Sequence, residues 1–302
     1  SIEDTKITLK FNSDGKFKIL CVSDSQFKFN EISSNTIDLL SGLVDKTNPD
    51  FVMMIGDVAD YPKVSTFKNY LSQLVKCMEE KHIPWAHVYG NHDEDTRGFN
   101  NDEYAYPKEE QMEIYSSFDY CLSREGDTDL SGSGNYNLPI LSSDEKHVSY
   151  NLWAFDTGTT GFSNNQRDWY KRTSLAMKEE NGDNTINSIM FFHIPLPEMN
   201  YIYSHRNEPD FVGFAGEQPS VSGSSIFSTI KDVGDVRLIC NAHDHVNDFI
   251  GEYDGISMCY DGHIGYQDYG NDECKGGRVI VLDEKDLTTF DTYMVHISDI
   301  SL

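Results

Sequence analysis

Apolar positions along this chain follow two periods in turn, and the switches between them outline an α/β fold. Residues 7–11 and 17–22 read as strands joined by Asn12-Ser13-Asp14-Gly15-Lys16, in which Asp14-Gly15 carries tight-turn chemistry. A helix follows, with Ile32, Leu39, Leu40, Leu43 and Val44 spaced at three and four, and Asn48-Pro49 stops it. Residues 51–55 form a short apolar strand. Val64, Phe67, Leu71, Leu74, Val75 and Met78 share one face of a second helix, and residues 84–89 form the next strand. This βαβαβ alternation predicts parallel strands with right-handed crossovers.

The middle is less regular. Residues 106–120 read as helix, 123–137 as a Gly/Ser/Asp loop, 148–155 as strand and 165–180 as helix. Short strands are expected at 188–192, 236–240, 256–260, 278–282 and 288–295. No linker, repeat or low-complexity tract interrupts the chain, so it reads as one domain over residues 1–302. Two packed β-sheets flanked by helices would accommodate every element.

Composition narrows the partners. The chain has 302 residues, 50 acidic and 24 basic, for a formal charge of -26. Gripping a nucleic-acid backbone takes clustered Lys and Arg, so no nucleic-acid partner is expected. The apolar fraction of 38% and aromatic fraction of 12% are those of a chain with a sizeable core, not of an acidic disordered one. No apolar run approaches about 18 residues, so no membrane-spanning helix is expected. The chain reads as soluble, with no legible targeting segment, and secreted and cytoplasmic locations both stay open.

The six cysteines are Cys21, Cys77, Cys121, Cys240, Cys259 and Cys274, with no C-x-x-C pair, which excludes a zinc ribbon or a thioredoxin-like motif. Cys21, Cys240 and Cys259 sit in apolar strands, where a thiol usually acts as a small buried hydrophobe. A bridge from Cys259 to Cys274 across the Tyr/Gly-rich loop is the one pairing the spacing suggests.

Candidate chemistry gathers where strands end. The first strand of the βαβαβ run leads into Ser23-Asp24-Ser25-Gln26, the second into Gly56-Asp57-Val58-Ala59-Asp60 and the third into Gly90-Asn91-His92-Asp93. Two later strands deliver His193 and Asn241-Ala242-His243-Asp244-His245. Parallel sheets build their sites at such carboxyl ends. Carboxylate, amide oxygen and imidazole suit Zn, Mn or Fe, and their number suits two ions that could clamp a phosphoryl group. Taken singly, each motif has a plainer explanation. A lone His on an apolar strand is usually structural, and Gly-Asn-His-Asp could be only a turn. It is the ordered set that favours a metal site. His82, His87, His147 and His296 fall outside it and read as ordinary structural or surface residues. Asp93, Glu94 and Asp95 read as a solvated acidic rim.

The set Asp24-x-Gln26, Gly56-Asp57-x-x-Asp60, Gly90-Asn91-His92-Asp93, His193 and Ala242-His243-x-His245 resembles the calcineurin-like metallophosphoesterase superfamily. The motifs of that superfamily are D-x-H, G-D-x-x-D, G-N-H-[DE], a lone His and G-H-x-H, in this order. The segments 192–198, 243–249 and 265–279 are similar to its purple-acid-phosphatase-like branch of plant and fungal phosphatases. The resemblance implies a four-layer sandwich, with two mixed β-sheets flanked by helices, holding two ions drawn from Fe, Mn and Zn. It makes Asp57 the bridging carboxylate. Asp24, Gln26 and His245 become the other ligands of the first ion, and Asn91, His193 and His243 those of the second. It makes His92 the acid that protonates the leaving oxygen and Asp60 the carboxylate that orients it. Three positions depart from the pattern. Gln26 stands for a His, Asp60 stands where purple enzymes carry an iron-binding Tyr, and Ala242 replaces a Gly.

The function implied is hydrolysis of a phosphoric monoester, a small molecule or a phosphoprotein, by a hydroxide bridging the two ions. Phosphodiester hydrolysis on the same ions is the alternative, and a metal-binding protein without catalysis is the third reading, supported by Gln26 alone. Arg97, His205, Arg206 and His263 lie in loops near the motifs and are candidates to contact substrate.

Overall fold

A computed structural model describes residues 6–95 and 106–302. Its strands are β1 (Leu9–Lys10), β2 (Lys16–Val22), β3 (Phe51–Ile55), β4 (Trp85–Val88), β5 (Tyr136–Leu141), β6 (Val148–Ala154), β7 (Asn187–Phe191), β8 (Val236–Asn241), β9 (Ile250–Tyr253), β10 (Ile256–Tyr260), β11 (Gly276–Asp283) and β12 (Asp291–His296). Its α-helices are α1 (Ser34–Thr47), α2 (Val64–Glu80), α3 (Lys108–Ser116), α4 (Asn164–Glu180), α5 (Met199–Ser204) and α6 (Phe227–Val233).

The strands form two mixed sheets, ordered β1-β5-β6-β7-β8-β10-β9 and β12-β11-β2-β3-β4. The βαβαβ run is parallel as its alternation predicts, with β2 beside β3 and β3 beside β4. Strand alternation sorts the side chains into layers. On β2, Ile19 and Cys21 face the other sheet and pack with Ile189, Phe191, Leu238 and Cys240. Leu20 and Val22 face outward and meet Leu39, Leu40 and Leu43 of α1 and Leu71, Leu74 and Val75 of α2. The seven-stranded sheet turns Met190 and Ile239 outward onto Tyr170 of α4 and Ile230 of α6. The layers are therefore helix, sheet, sheet, helix. Each fully buried aliphatic side chain contributes about 1.5–3 kcal/mol to this arrangement.

Helix boundaries have local causes. Asn48 ends α1 in a left-handed conformation with φ 46°, its N–H donating to Val44 O at 2.9 Å, and Pro49 cannot continue the helix. Ser163 opens α4 with a capping box, in which its hydroxyl and the Gln166 side chain each accept from the other's backbone amide.

Three expectations need correction. The Asp14-Gly15 turn forms, but β1 pairs with β5 and β2 with β11 and β3, so the turn links two sheets. Strands β5 and β9 and the short helices α5 and α6 were not anticipated. Cys259 lies opposite Cys240 in the β8–β10 pairing with the sulfurs 3.3 Å apart, and all six cysteines are free, so Cys259 and Cys274 form no bridge. No helix among the described residues is long and apolar enough to cross a membrane.

Candidate metal centre

The carboxyl ends of β2, β3, β4, β7 and β8 open on one edge of the sandwich, where tight turns interlock. Asp24 N donates to Gly56 O at 3.1 Å and Gln26 N to Asp57 O at 3.0 Å. Asp24, Gln26, Asp57 and His243 all have left-handed backbones, with φ of 56°, 45°, 47° and 84°. Non-glycine residues adopt this region rarely, and such strain gathers at functional sites. Two glycines admit the close approach. A Cβ on Gly56 would lie 2.6 Å from His193 Nδ1, and one on Gly90 would overlap Asp57 Oδ1. Ala242 has no left-handed requirement, and its N–H donates to His193 O at 2.9 Å, so the missing glycine there is tolerated.

Asp93 fastens these turns together. It is fully buried and accepts from Asp57 N at 2.9 Å, Ala59 N at 3.0 Å and Gly90 N at 2.5 Å. Burial and the Asp57 charge push its pKa up. The solvated acidic rim expected over 93–95 is therefore wrong at two positions. Asp93 is interior, and Asp95 is bound to His92. Only Glu94 is exposed. An acidic triplet gives no sign in sequence of which carboxylate faces backbone amides.

Donor atoms converge inside this frame. His193 Nδ1 donates to Ile55 O at 2.7 Å, which turns Nε2 toward Asp57 Oδ2 at 2.9 Å and Asp24 Oδ1 at 3.7 Å. His245 Nδ1 donates to Tyr269 O at 2.7 Å and sets Nε2 3.2 Å from Asp24 Oδ1. Donor atoms of Asp57, His193 and His243 lie within 4.8 Å of one another. Asp24 Oδ1, Gln26 Oε1, Asn91 Oδ1 and His193 Nε2 are buried without a hydrogen-bond partner. Leaving four such atoms unpaired would cost about 1–3 kcal/mol each. Asp24 Oδ1 and His193 Nε2 lie 3.7 Å apart, Gln26 and Asn91 follow β2 and β4 at the same edge, and bound cations would satisfy such atoms. The residues present fit a metal pair.

The local charge agrees. Burial pushes His193 down, but the Asp57 and Asp24 carboxylates outweigh it and raise its pKa to about 10. His245 is likewise pulled down by burial and carried up to about 9 by Asp24. Burial and the neighbouring His193 push His243 down to about 4. Burial would raise Asp24, yet His245 and His193 hold it well below the usual carboxylate range. The pocket is a field of negative potential that draws positive charge.

His92 stands beside this locus. Its backbone N–H donates to Asp57 Oδ1 at 2.8 Å, and its Nδ1 lies 2.5 Å from Asp95 Oδ2 and 3.9 Å from Asp60 Oδ1. Burial lowers its pKa, but Asp57, Asp95 and Asp60 together raise it above the ordinary histidine value. Asp60 is also 3.7 Å from Lys28 Nζ and 3.4 Å from the Gln26 amide nitrogen.

The four substrate candidates fare differently. Arg97 lies outside the described residues. His205 and Arg206 follow α5, where His205 Nδ1 donates to Tyr201 O at 2.7 Å and Arg206 Nη1 to Tyr203 O at 2.8 Å. His205 borders a separate cavity of about 450 Å³ with Glu208, Asp210 and Phe211. His263 is buried, its ring nearly parallel to that of His245 at 5.6 Å, so it backs His245 and does not form an open loop contact. Sequence reasoning missed Ser23 and Asp261. Ser23 Oγ lies 2.7 Å from both Asp24 Oδ2 and Asp261 Oδ1. Burial and then Asp24 push Asp261 well above the usual carboxylate range. The Ser23 hydroxyl thus stands between the Asp24 and Asp261 carboxyl groups. The signal was available, because Asp261 follows β10 as the other acids follow their strands.

The family model described as calcineurin-like phosphoesterase matches residues 17–247. Among curated proteins, the chain is 27% identical to "Probable inactive purple acid phosphatase 29" of Arabidopsis thaliana over 91% of this chain and 79% of that protein. It is 28% identical to "Phosphatase DCR2" of Saccharomyces cerevisiae over 84% of this chain and 49% of that one. Among solved structures, a dimetal phosphatase from Danio rerio superposes with a TM-score of 0.54 at 11% identity, over 93% of this chain and 98% of that one. That likeness concerns the fold.

Proposed function

The chain belongs to the calcineurin-like phosphoesterase family, and on that premise we propose that it is a two-metal phosphoric monoester hydrolase. One observation carries the reading: donor atoms of Asp57, His193 and His243 converge within 4.8 Å beside His92, on an edge where Asp24 Oδ1, Gln26 Oε1, Asn91 Oδ1 and His193 Nε2 are buried without a hydrogen-bond partner. Asp57 would serve both ions, with Asp24, Gln26 and His245 completing one set and Asn91, His193 and His243 the other. The ions, drawn from Mn, Fe and Zn, would supply Lewis acidity and an activated water.

The chain's own residues do the rest. Asp93 fixes the turns that aim the donors. Asp95 and Asp60 hold His92 Nδ1, which leaves Nε2 to give a proton to the departing ester oxygen. The substrate is a phosphorylated small molecule or a phosphoprotein. The net charge of -26 disfavours long polyanions.

A non-catalytic reading has two supports: Gln26 replaces a histidine, and the Arabidopsis relative carries "inactive" in its name. Loading the protein with Mn, Fe or Zn, quantifying bound metal, and comparing para-nitrophenyl phosphate with its bis ester separates the readings. We expect two ions per chain and faster monoester turnover. Preference for the diester would replace the monoester assignment, and no turnover with any fully loaded metal would favour the non-catalytic reading.

A further inference from the structure

We propose that the two ion positions differ in hardness, and that Gln26, held in place by Asp268, makes the first an oxygen-rich seat that favours Mn²⁺ over Zn²⁺ relative to the second. The inference rests on the two-ion reading above. The first set offers three oxygens and one nitrogen, from Asp24, Gln26, Asp57 and His245. The second offers two of each, from Asp57, Asn91, His193 and His243. Carboxylate and carbonyl oxygens suit Mn²⁺, whereas imidazoles suit Zn²⁺.

The orientation of Gln26 is what makes its carbonyl a ligand. Its amide nitrogen faces two carboxylates, Asp60 Oδ2 at 3.4 Å and Asp268 Oδ2 at 3.3 Å. Only the nitrogen end of an amide donates, so this pair of acceptors settles which end faces them. The opposite atom, Oε1, is buried with no partner. The side chain is 1% exposed and leaves a backbone at φ 45°, which narrows its choice of conformers. Asp268 comes from the loop that also presents Tyr269 O to His245 Nδ1. One loop therefore orients two ligands of the same ion. Outer partners of this kind tune metal affinity as strongly as many ligands do.

Exchange of metals tests this without recourse to activity. The whole chain is stripped with chelator, filled with Mn²⁺ and titrated with Zn²⁺, with released Mn²⁺ read by electron paramagnetic resonance and bound metal by mass spectrometry. Release should come in two steps of one ion each, separated at least about tenfold in Zn²⁺:Mn²⁺ ratio. Gln26→His should merge the steps. Asp268→Ala, at an exposed position, should weaken the later-exchanging ion by about tenfold or more and leave the other unchanged, with an unaltered circular dichroism spectrum. One-step release in the unaltered protein, saturation at a single ion, or two steps that neither variant alters would each overturn the proposal. Failure to bind any ion would also remove the two-metal reading itself, so the two failures are distinguishable.

Discussion

His92 Nδ1 lies 2.5 Å from Asp95 Oδ2, closer than to Asp60 Oδ1 at 3.9 Å. The carboxylate three residues along the same turn is thus its immediate partner, and Asp60 stands behind it. Replacing His92 with Ala should lower kcat about 10²–10⁴-fold, the usual worth of a general acid, while bound metal stays the same. Asp95→Asn should slow phenyl phosphate more than para-nitrophenyl phosphate, because a good leaving group needs little protonation. Equal losses on both substrates would argue that Asp95 acts only on folding.

Gly90 has no room for a side chain against Asp57. Gly90→Ala should displace the shared carboxylate and strip metal from a protein whose circular dichroism is unchanged. Retention of two ions in that variant would mean that the turn yields more readily than its contacts indicate.

Asp93→Ala would leave three buried amides, those of Asp57, Ala59 and Gly90, without an acceptor. At about 1–3 kcal/mol each, the loss should appear in urea unfolding as a destabilisation of several kcal/mol and in dialysis as weaker metal retention. Asp93→Asn keeps one acceptor oxygen and should fall between the two. A variant as stable as the parent would contradict the fastening role.

His87 gives a pH dependence away from the ligands. Its ring stacks on Tyr115 at 3.5 Å and Nδ1 meets Ser123 Oγ at 2.6 Å, while Nε2 is buried without a partner. Burial holds its pKa well below the ordinary value. The folded protein keeps it neutral, whereas the unfolded chain takes up a proton below about pH 6.5. Its contribution is therefore present above that pH and lost as the pH falls through and below it, by up to about 1.4 kcal/mol per unit. His87→Phe should flatten the fall in stability between pH 7 and 5 relative to the parent. Parallel stability curves would refute it.

Much of this was legible in the sequence because the candidate ligands follow strands. Apolar runs with a periodicity switch located β2, α1, β3, α2 and β4, and polar residues at their ends marked Asp24, Asp57 and Asn91. What stayed hidden depends on neighbours from distant sequence. Asp93 looks like Glu94 until Gly90 and Ala59 fold over it. Cys259 meets Cys240 because β10 lies beside β8, which no spacing reveals. The β9 strand carries only four residues, and α5 only six, too few for a period to show.

The pairing of β11 with β2 also sets a schedule. Residues 278–283 zip antiparallel onto 16–21, within the sheet that carries Asp24, Asp57 and Asn91. His245 itself lies 221 positions beyond Asp24. During synthesis the early ligands therefore emerge long before their partners, with a sheet edge still open. Contacts so distant in sequence form slowly, and an uncovered edge invites pairing with other chains. The donor set that includes both Asp24 and His245 is therefore complete only after the segment between them has been made and β8 has joined its sheet.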